Sequence, residues 1–189
     1  MLPVADIDAL AQQCAPAVHR VTVQAVVRQE SGGNPFAIGV VGGALVRQPR
    51  TLPEAIATAR KLEADGWNYS LGLGQINRSN FERLGLTLNT AFAPCANLAA
   101  MQAVLVECWN RAVNKRDATQ RWAIDASLAC YYSGTFAVAR HSSYVSSVVA
   151  NARTARSSLA AAQPVPSPGQ GPYPFPPTAH HVAHRGDPA

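Results

Sequence analysis

The run Val23-Gln24-Ala25-Val26-Val27-Arg28-Gln29-Glu30-Ser31-Gly32-Gly33-Asn34-Pro35 decides how this chain is read. Val23, Val26, Val27 and Glu30 recur at i, i+3, i+4 and i+7, which is one face of an α-helix. Gly32-Gly33 and Asn34-Pro35 then stop the helix. Glycine tolerates a left-handed C-cap, and the residue before proline is pushed out of the helical region. Three members of the stripe are valines and the fourth is a carboxylate. On that stripe Glu30 points toward the core, at a helix end whose dipole also disfavours negative charge. Both effects raise its pKa, as a general acid working near neutral pH requires. The alternative is a frayed last turn with Glu30 in solvent, and the stripe alone favours neither.

Outward from this segment the chain reads as short helices joined by Gly- and Asn-marked turns. Pro16 is placed to open the Glu30 helix, and Ala37 to Val46 has the pattern of a small β-hairpin turning at Gly42-Gly43. Thr51-x-x-Glu54, with Pro53 inside it, opens a second helix through Ile56, Ala59 and Leu62 that ends at Gly66. A short third helix covers Ser79 to Leu84, closed by Gly85. A fourth starts after Pro94 and carries Leu98, Met101, Leu105, Cys108, Trp109 and Ala112 on one face. A fifth spans about Thr119 to Tyr131, and a sixth contains Tyr144, Val145, Val148, Val149 and Ala152. The fold class expected is mainly α, with one small β-hairpin.

Composition bounds the function. With 189 residues, 48% of them hydrophobic and 14% charged, the chain fits one domain with a real core. No apolar run approaches the roughly 20 residues of a membrane-spanning helix, so no span is expected. Met1 to Asp6 has neither a basic start nor an apolar run, so no signal peptide is visible. The net charge of +5 comes from scattered arginines, and aromatics are only 7%. A nucleic-acid surface, which needs a basic stripe interleaved with aromatics, is therefore not expected.

From Gln163 onward the chain holds eight of its fourteen prolines and almost no aliphatic side chains. Residues 163–189 are read as a disordered proline-rich tail, and residues 1–162 as the folded domain. The tail's His180, His181 and His184 lack a carboxylate or Cys partner, so neither metal nor cofactor is expected there or elsewhere. Cys14, Cys95, Cys108 and Cys130 lack zinc spacing. They suit either two disulfides or four buried thiols, and all three pairings remain open.

Three ordered segments carry a resemblance: Glu30-Ser31-Gly32-Gly33-Asn34-Pro35, Gly72-Leu73-Gly74-Gln75-Ile76-Asn77, and Ala129-Cys130-Tyr131-Tyr132-Ser133-Gly134. Together they resemble the lytic transglycosylases of the lysozyme-like superfamily over roughly residues 10 to 150. Ala37-Ile38-Gly39-Val40, the second helix, and Ala93-Pro94-Cys95-Ala96-Asn97-Leu98 look like the branch associated with type IV secretion and conjugation. The resemblance implies an α+β lysozyme-like domain with Glu30 as the catalytic residue. It makes Ser31 the residue that helps orient Glu30, and Tyr131 the tyrosine whose hydroxyl holds it. It also implies a Cys14–Cys95 bridge, which would leave Cys108 with Cys130. Gly72 and Gly74 would let the backbone approach a sugar, with the amides of Gln75 and Asn77 offered to hydroxyl and acetamido groups. This chain departs from the family where Gly74 replaces Met, Tyr132 replaces Asn, and Ser70 stands where the branch often has Asp. Those departures touch the cleft floor and the substrate contact at Tyr132, and leave the acid in place.

Most glycosidases use two carboxylates. Between Glu30 and the second segment the only other acids are Glu54, Glu63 and Asp65, in or just after a surface helix. The resemblance therefore implies one acid that works twice on peptidoglycan glycan strands and leaves a 1,6-anhydro sugar. A lysozyme-type hydrolase and a non-catalytic cell-wall-binding protein are the alternatives. It further implies a periplasmic monomer serving a type IV secretion or conjugation apparatus, with the tail as a docking segment for that machinery.

Overall fold

The computed structural model describes residues 1–137 and 142–161. The tail with its histidines lies outside these residues. Among them run six α-helices and three short strands: α1 (Val4–Cys14), α2 (Arg20–Ser31), β1 (Ile38–Val40), α3 (Leu52–Ala64), β2 (Tyr69–Leu71), β3 (Ile76–Asn77), α4 (Pro94–Val113), α5 (Gln120–Ser133) and α6 (Ser143–Ala161). The mainly α, lysozyme-like class expected from the sequence is the one observed.

The helix ends follow local chemistry. His19 caps α2 by accepting from the Val21 N–H, and Gly32 closes it in the left-handed region at φ 60°. Thr51 accepts from the Glu54 N–H at the start of α3, while the Glu54 carboxylate reaches back to the Arg50 N–H at 2.8 Å. Proline opens α4, and Thr119 caps α5. α2 packs along α6, α4 along α5, and α1 against both α2 and α4. The α2 stripe behaves as its spacing predicts, with Val23, Val26 and Val27 all fully buried. Burying the three valines contributes about 1.5–3 kcal/mol each.

Three local expectations are corrected. The first is α1, whose stripe of Ile7, Leu10, Ala11 and Cys14 has helical spacing in a segment to which the sequence reading assigns no element. Pro16 consequently lies in the α1–α2 turn and does not open a helix. The second is the hairpin at Ala37 to Val46. Only Ile38–Val40 is a strand, and it pairs with Tyr69–Leu71 (Ile38 opposite Leu71, Val40 opposite Tyr69), which in turn pairs with Ile76–Asn77. The place of a second arm is taken by the Gln48 side chain. Its Oε1 accepts from the Ile38 N–H at 2.8 Å and its Nε2 donates to the Ile38 carbonyl at 2.9 Å. The hairpin that does form is β2–β3, turning through Gly72 to Gln75. The third correction is the helix at Ser79 to Leu84, which is a single 3-10 turn over Arg78–Asn80 followed by tight turns to Gly85. The sixth helix, with its Tyr144 to Ala152 stripe, runs from Ser143 to Ala161.

The four cysteines form two bridges, Cys14–Cys95 and Cys108–Cys130. The first ties the end of α1 to the start of α4 across 81 residues, and the second ties α4 to α5 across 22. Closing the longer loop removes more freedom from the unfolded chain, about 4 against about 3 kcal/mol. Replacing Cys14 and Cys95 together by Ser should therefore lower the urea midpoint more than replacing Cys108 and Cys130. The reverse order would place the stabilisation in native packing.

Candidate active site

A cleft of about 340 Å³ opens between the helices and the sheet. Its helical wall is made by Glu30, Val104, Tyr131 and Tyr132, and its sheet wall by Gly39 to Val41, Ser70, Gln75 to Asn77, and Asn80. Among the described residues Glu30 is the only carboxylate on either wall. The other acids near this region are tied up on the surface by arginine or lysine. Glu54 pairs with Arg47 at 2.5 Å, Glu63 with Arg78 at 2.6 Å and Asp65 with Lys61 at 2.5 Å.

Glu30 stands in the last turn of α2, where Gly32 stops the helix and turns the chain toward β1. Of its two sequence readings the buried one holds. Burial pushes its carboxyl up from 4.5 to about 7, against a smaller lowering by a hydrogen bond from the Tyr144 hydroxyl. That bond is 2.5 Å long to Oε1. Burial and the Glu30 charge in turn hold the Tyr144 hydroxyl far above the ordinary phenol range. The Tyr131 hydroxyl is raised too, by burial first and then by Glu30. The tyrosine that holds Glu30 is thus Tyr144, from α6, and not Tyr131. Tyr131 donates instead to the Gly74 carbonyl at 2.5 Å. Tyr132 is 63% exposed and stacks on Tyr144, with ring centroids 4.6 Å apart and planes 18° apart.

The raised carboxyl has a consequence for stability. Between pH 4.5 and about 7 the folded protein keeps a proton that the unfolded chain has released. This contribution is complete below 4.5 and is lost as pH rises through about 7, a change of about 3 kcal/mol. Urea midpoints should fall over that window in the native chain, and that part of the fall should vanish in Glu30→Gln. An unchanged slope in the variant would mean that Glu30 titrates like a solvated carboxyl.

The β2–β3 turn forms the cleft floor and is clamped from three sides. The Ser31 hydroxyl is shared between the Leu73 carbonyl at 2.9 Å and Val27 in its own helix at 3.1 Å, so it fastens the Glu30 turn to the floor. Tyr131 holds Gly74. Asn97, fully buried on α4, accepts from the Gly74 N–H at 2.7 Å and donates to the carbonyls of Leu71 at 2.9 Å and Ala91 at 2.7 Å. The glycines leave room for this inward packing. A Cβ on Gly72 (φ 79°) would overlap the Asn97 amide and lie 2.6 Å from the Ala91 carbonyl. One on Gly74 would lie 3.0 Å from the Tyr131 hydroxyl and from Met101. Met101 fills the space that a methionine at position 74 would take.

The two amides also differ from expectation. Gln75 spends both protons on the Gly72 and Ala37 carbonyls, at 2.9 and 3.1 Å, leaving only its Oε1 over Gly39. Asn77 is engaged through Asn68, Ser70 and Ser79 and caps the 3-10 turn. The polar groups left to a ligand are the Gln75 oxygen, the Ser70 hydroxyl and Asn80, which the sequence reading did not single out. Cys14, Cys95, Cys108 and Cys130 lie in the two bridges and away from the cleft walls. Among the described residues no cluster of three or more His, Cys, Asp or Glu side chains could hold a metal ion, and no helix is long and apolar enough to cross a membrane.

A helical domain with a small antiparallel sheet, a cleft between them and one half-buried glutamate on its helical wall is a lysozyme-like domain. The chain belongs to the Transglycosylase SLT domain family, which matches residues 9–153. It is similar to the type IV secretion system protein virB1 of Brucella suis biovar 1, with 50% identity over 148 residues, 76% of this chain and 62% of that one. It is also similar to protein virB1 of Agrobacterium tumefaciens, with 32% identity over 136 residues, 70% of this chain and 54% of that one. The chain therefore spans less than two thirds of the length of these relatives. No solved structure matches it.

Proposed function

We propose that this chain is a peptidoglycan lytic transglycosylase that cuts the β-1,4 bond between N-acetylmuramic acid and N-acetylglucosamine. The observation that carries this reading is Glu30, half-buried, pushed up to about 7 by burial, and the one carboxylate among the described residues of the cleft. Protonated, it donates to the glycosidic oxygen as the C1–O bond breaks. As carboxylate, it then takes the proton from the C6 hydroxyl of the same muramic acid, whose oxygen closes on C1. One bond breaks, one forms, the proton returns to Glu30, and no water is consumed. A pKa near the working pH suits a group that must give and then take a proton.

Tyr144 is the positioning residue for this cycle. Its hydroxyl donates to the carboxylate form, and its ring is backed by Tyr132. Ser31 and Tyr131 hold the floor, while Tyr132, the Gln75 oxygen and Asn80 meet the glycan. The similarity to a protein named for the type IV secretion system, virB1 of Brucella suis, supports a working place in the periplasm beside such an apparatus. We assign the catalytic domain to residues 1–162 and a reaching or docking role to 163–189, because proline-rich segments bind at low ordering cost. The test is digestion of purified peptidoglycan with products weighed by mass spectrometry. Anhydro ends support the reading, reducing ends mean a hydrolase, and no products mean a binding protein.

A further inference from the structure

The chain has three tryptophans, and two of them, Trp109 and Trp122, pack against the core. Trp67 does not. Its backbone is fixed by an N–H donated to the Leu62 carbonyl at 2.9 Å, yet the residue is 46% exposed. A large indole left half in water offers an apolar face and an N–H donor to something beyond the chain.

Its neighbours say what. The site of a Cβ on Gly43 lies 3.4 Å from a Val40 methyl and 3.5 Å from the six-membered ring of Trp67, so the indole stands beside the cleft wall. Gly43 brings no side chain to cover it. The next residue, Asn68, accepts the Val41 N–H at 2.9 Å on its carbonyl and an Asn77 amide proton at 2.7 Å on its side chain. Val40, Val41 and Asn77 all line the cleft, and Val41 is itself 58% exposed. The ring therefore lies beside the sheet wall, next to Val40 across Gly43.

We infer that Trp67 is a sugar-stacking platform at the outer end of the sheet wall, holding a glycan unit beyond the pair that flanks the scissile bond; this rests on the glycan-cleaving reading of Glu30. The chemistry matches the occupant. A β-linked pyranose presents a flat face of C–H bonds, which an aromatic ring covers, and the indole N–H can meet a hydroxyl or acetamido oxygen. The wall leading to it, two valines and the polar groups of Ser70 and Gln75, has the same alternation of C–H surface and neutral hydrogen-bonding groups. Among the described residues no cation lines the cleft, so a neutral chain suits this path better than an anionic one.

The test is calorimetric titration of full-length Glu30→Gln, which cannot turn over, with a murein disaccharide and a murein hexasaccharide. Adding Trp67→Ala should weaken the hexasaccharide roughly fivefold to tenfold and leave the disaccharide unchanged. Trp67→Tyr should keep most of the affinity, and both variants should unfold at nearly the parental midpoint. Equal hexasaccharide affinity with and without the indole overturns the inference, as does an equal loss for both lengths. If Glu30→Gln binds neither oligosaccharide, the glycan-cleaving reading itself fails.

Discussion

Glu30→Gln is expected to abolish most cleavage of purified peptidoglycan, by at least the ~10²–10⁴ that acid–base catalysis supplies, while glycan binding persists. The amide keeps the size of the side chain and can still accept from Tyr144, but it has no proton to give and no charge with which to take one. The loss should therefore appear in kcat, with KM little changed. The same variant should fold more stably near neutral pH, since it never has to hold a buried charge. Glu54→Gln, Glu63→Gln and Asp65→Asn provide the contrast. Each removes one exposed ion pair with Arg47, Arg78 or Lys61, and exposed pairs are worth only about 0–1 kcal/mol. Turnover should stay near the native rate in all three. If one of them proved as damaging as Glu30→Gln, with reducing ends as product, a second carboxylate would be at work and the single-acid cycle would be wrong.

Asn97→Leu should be the most destabilising single change in the domain, by about 3–5 kcal/mol. The substitution strands the Gly74 N–H and the carbonyls of Leu71 and Ala91 in a place without water, and each unpaired buried group costs about 1–3 kcal/mol. A branched leucine must also fit against Gly72, where the amide already sits in van der Waals contact with the backbone. Urea unfolding of the variant measures the cost, and a loss under about 1 kcal/mol would mean that the β2–β3 turn relaxes to satisfy itself. Asn97→Asp separates hydrogen bonding from shape. It keeps the acceptor for Gly74 but turns the donor toward the two carbonyls into a repulsive oxygen, so it should be nearly as harmful.

Much of this was legible in the chain because it is local. Glu30 announced itself as a carboxylate completing a valine stripe, Thr51 and Glu54 as a capping pair, and Pro94 as a helix opener. The family resemblance, resting on three separated segments, located the cleft floor before any contact was known. What escaped depends on pairing between distant residues. The partner of β1 is 31 residues on in sequence at Tyr69–Leu71, and nothing in Ala37 to Val46 distinguishes that partner from a nearby second arm. Tyr144 read as one apolar member of the α6 stripe, since a buried tyrosine and a tyrosine aimed at a carboxylate have the same spacing. Asn97 stood inside a quoted segment without a role, because a buried asparagine shows its worth only through the three backbone groups it satisfies. α1 was missed although its spacing was present. Its alanines and glutamines gave a faint stripe, and Pro16 drew attention to the wrong boundary.

The Gln48 amide that replaces a hairpin arm also decides what this sheet can do in company. β1 is an outer strand, and its outward groups are the ones through which a sheet recruits a foreign strand. Gln48 takes both from Ile38, and the Gly43 N–H takes the Val40 carbonyl at 3.3 Å. With those groups occupied, neighbouring copies crowded into a confined space have almost no template along β1, and the cleft can face a polymer network without that edge of the sheet recruiting further strands.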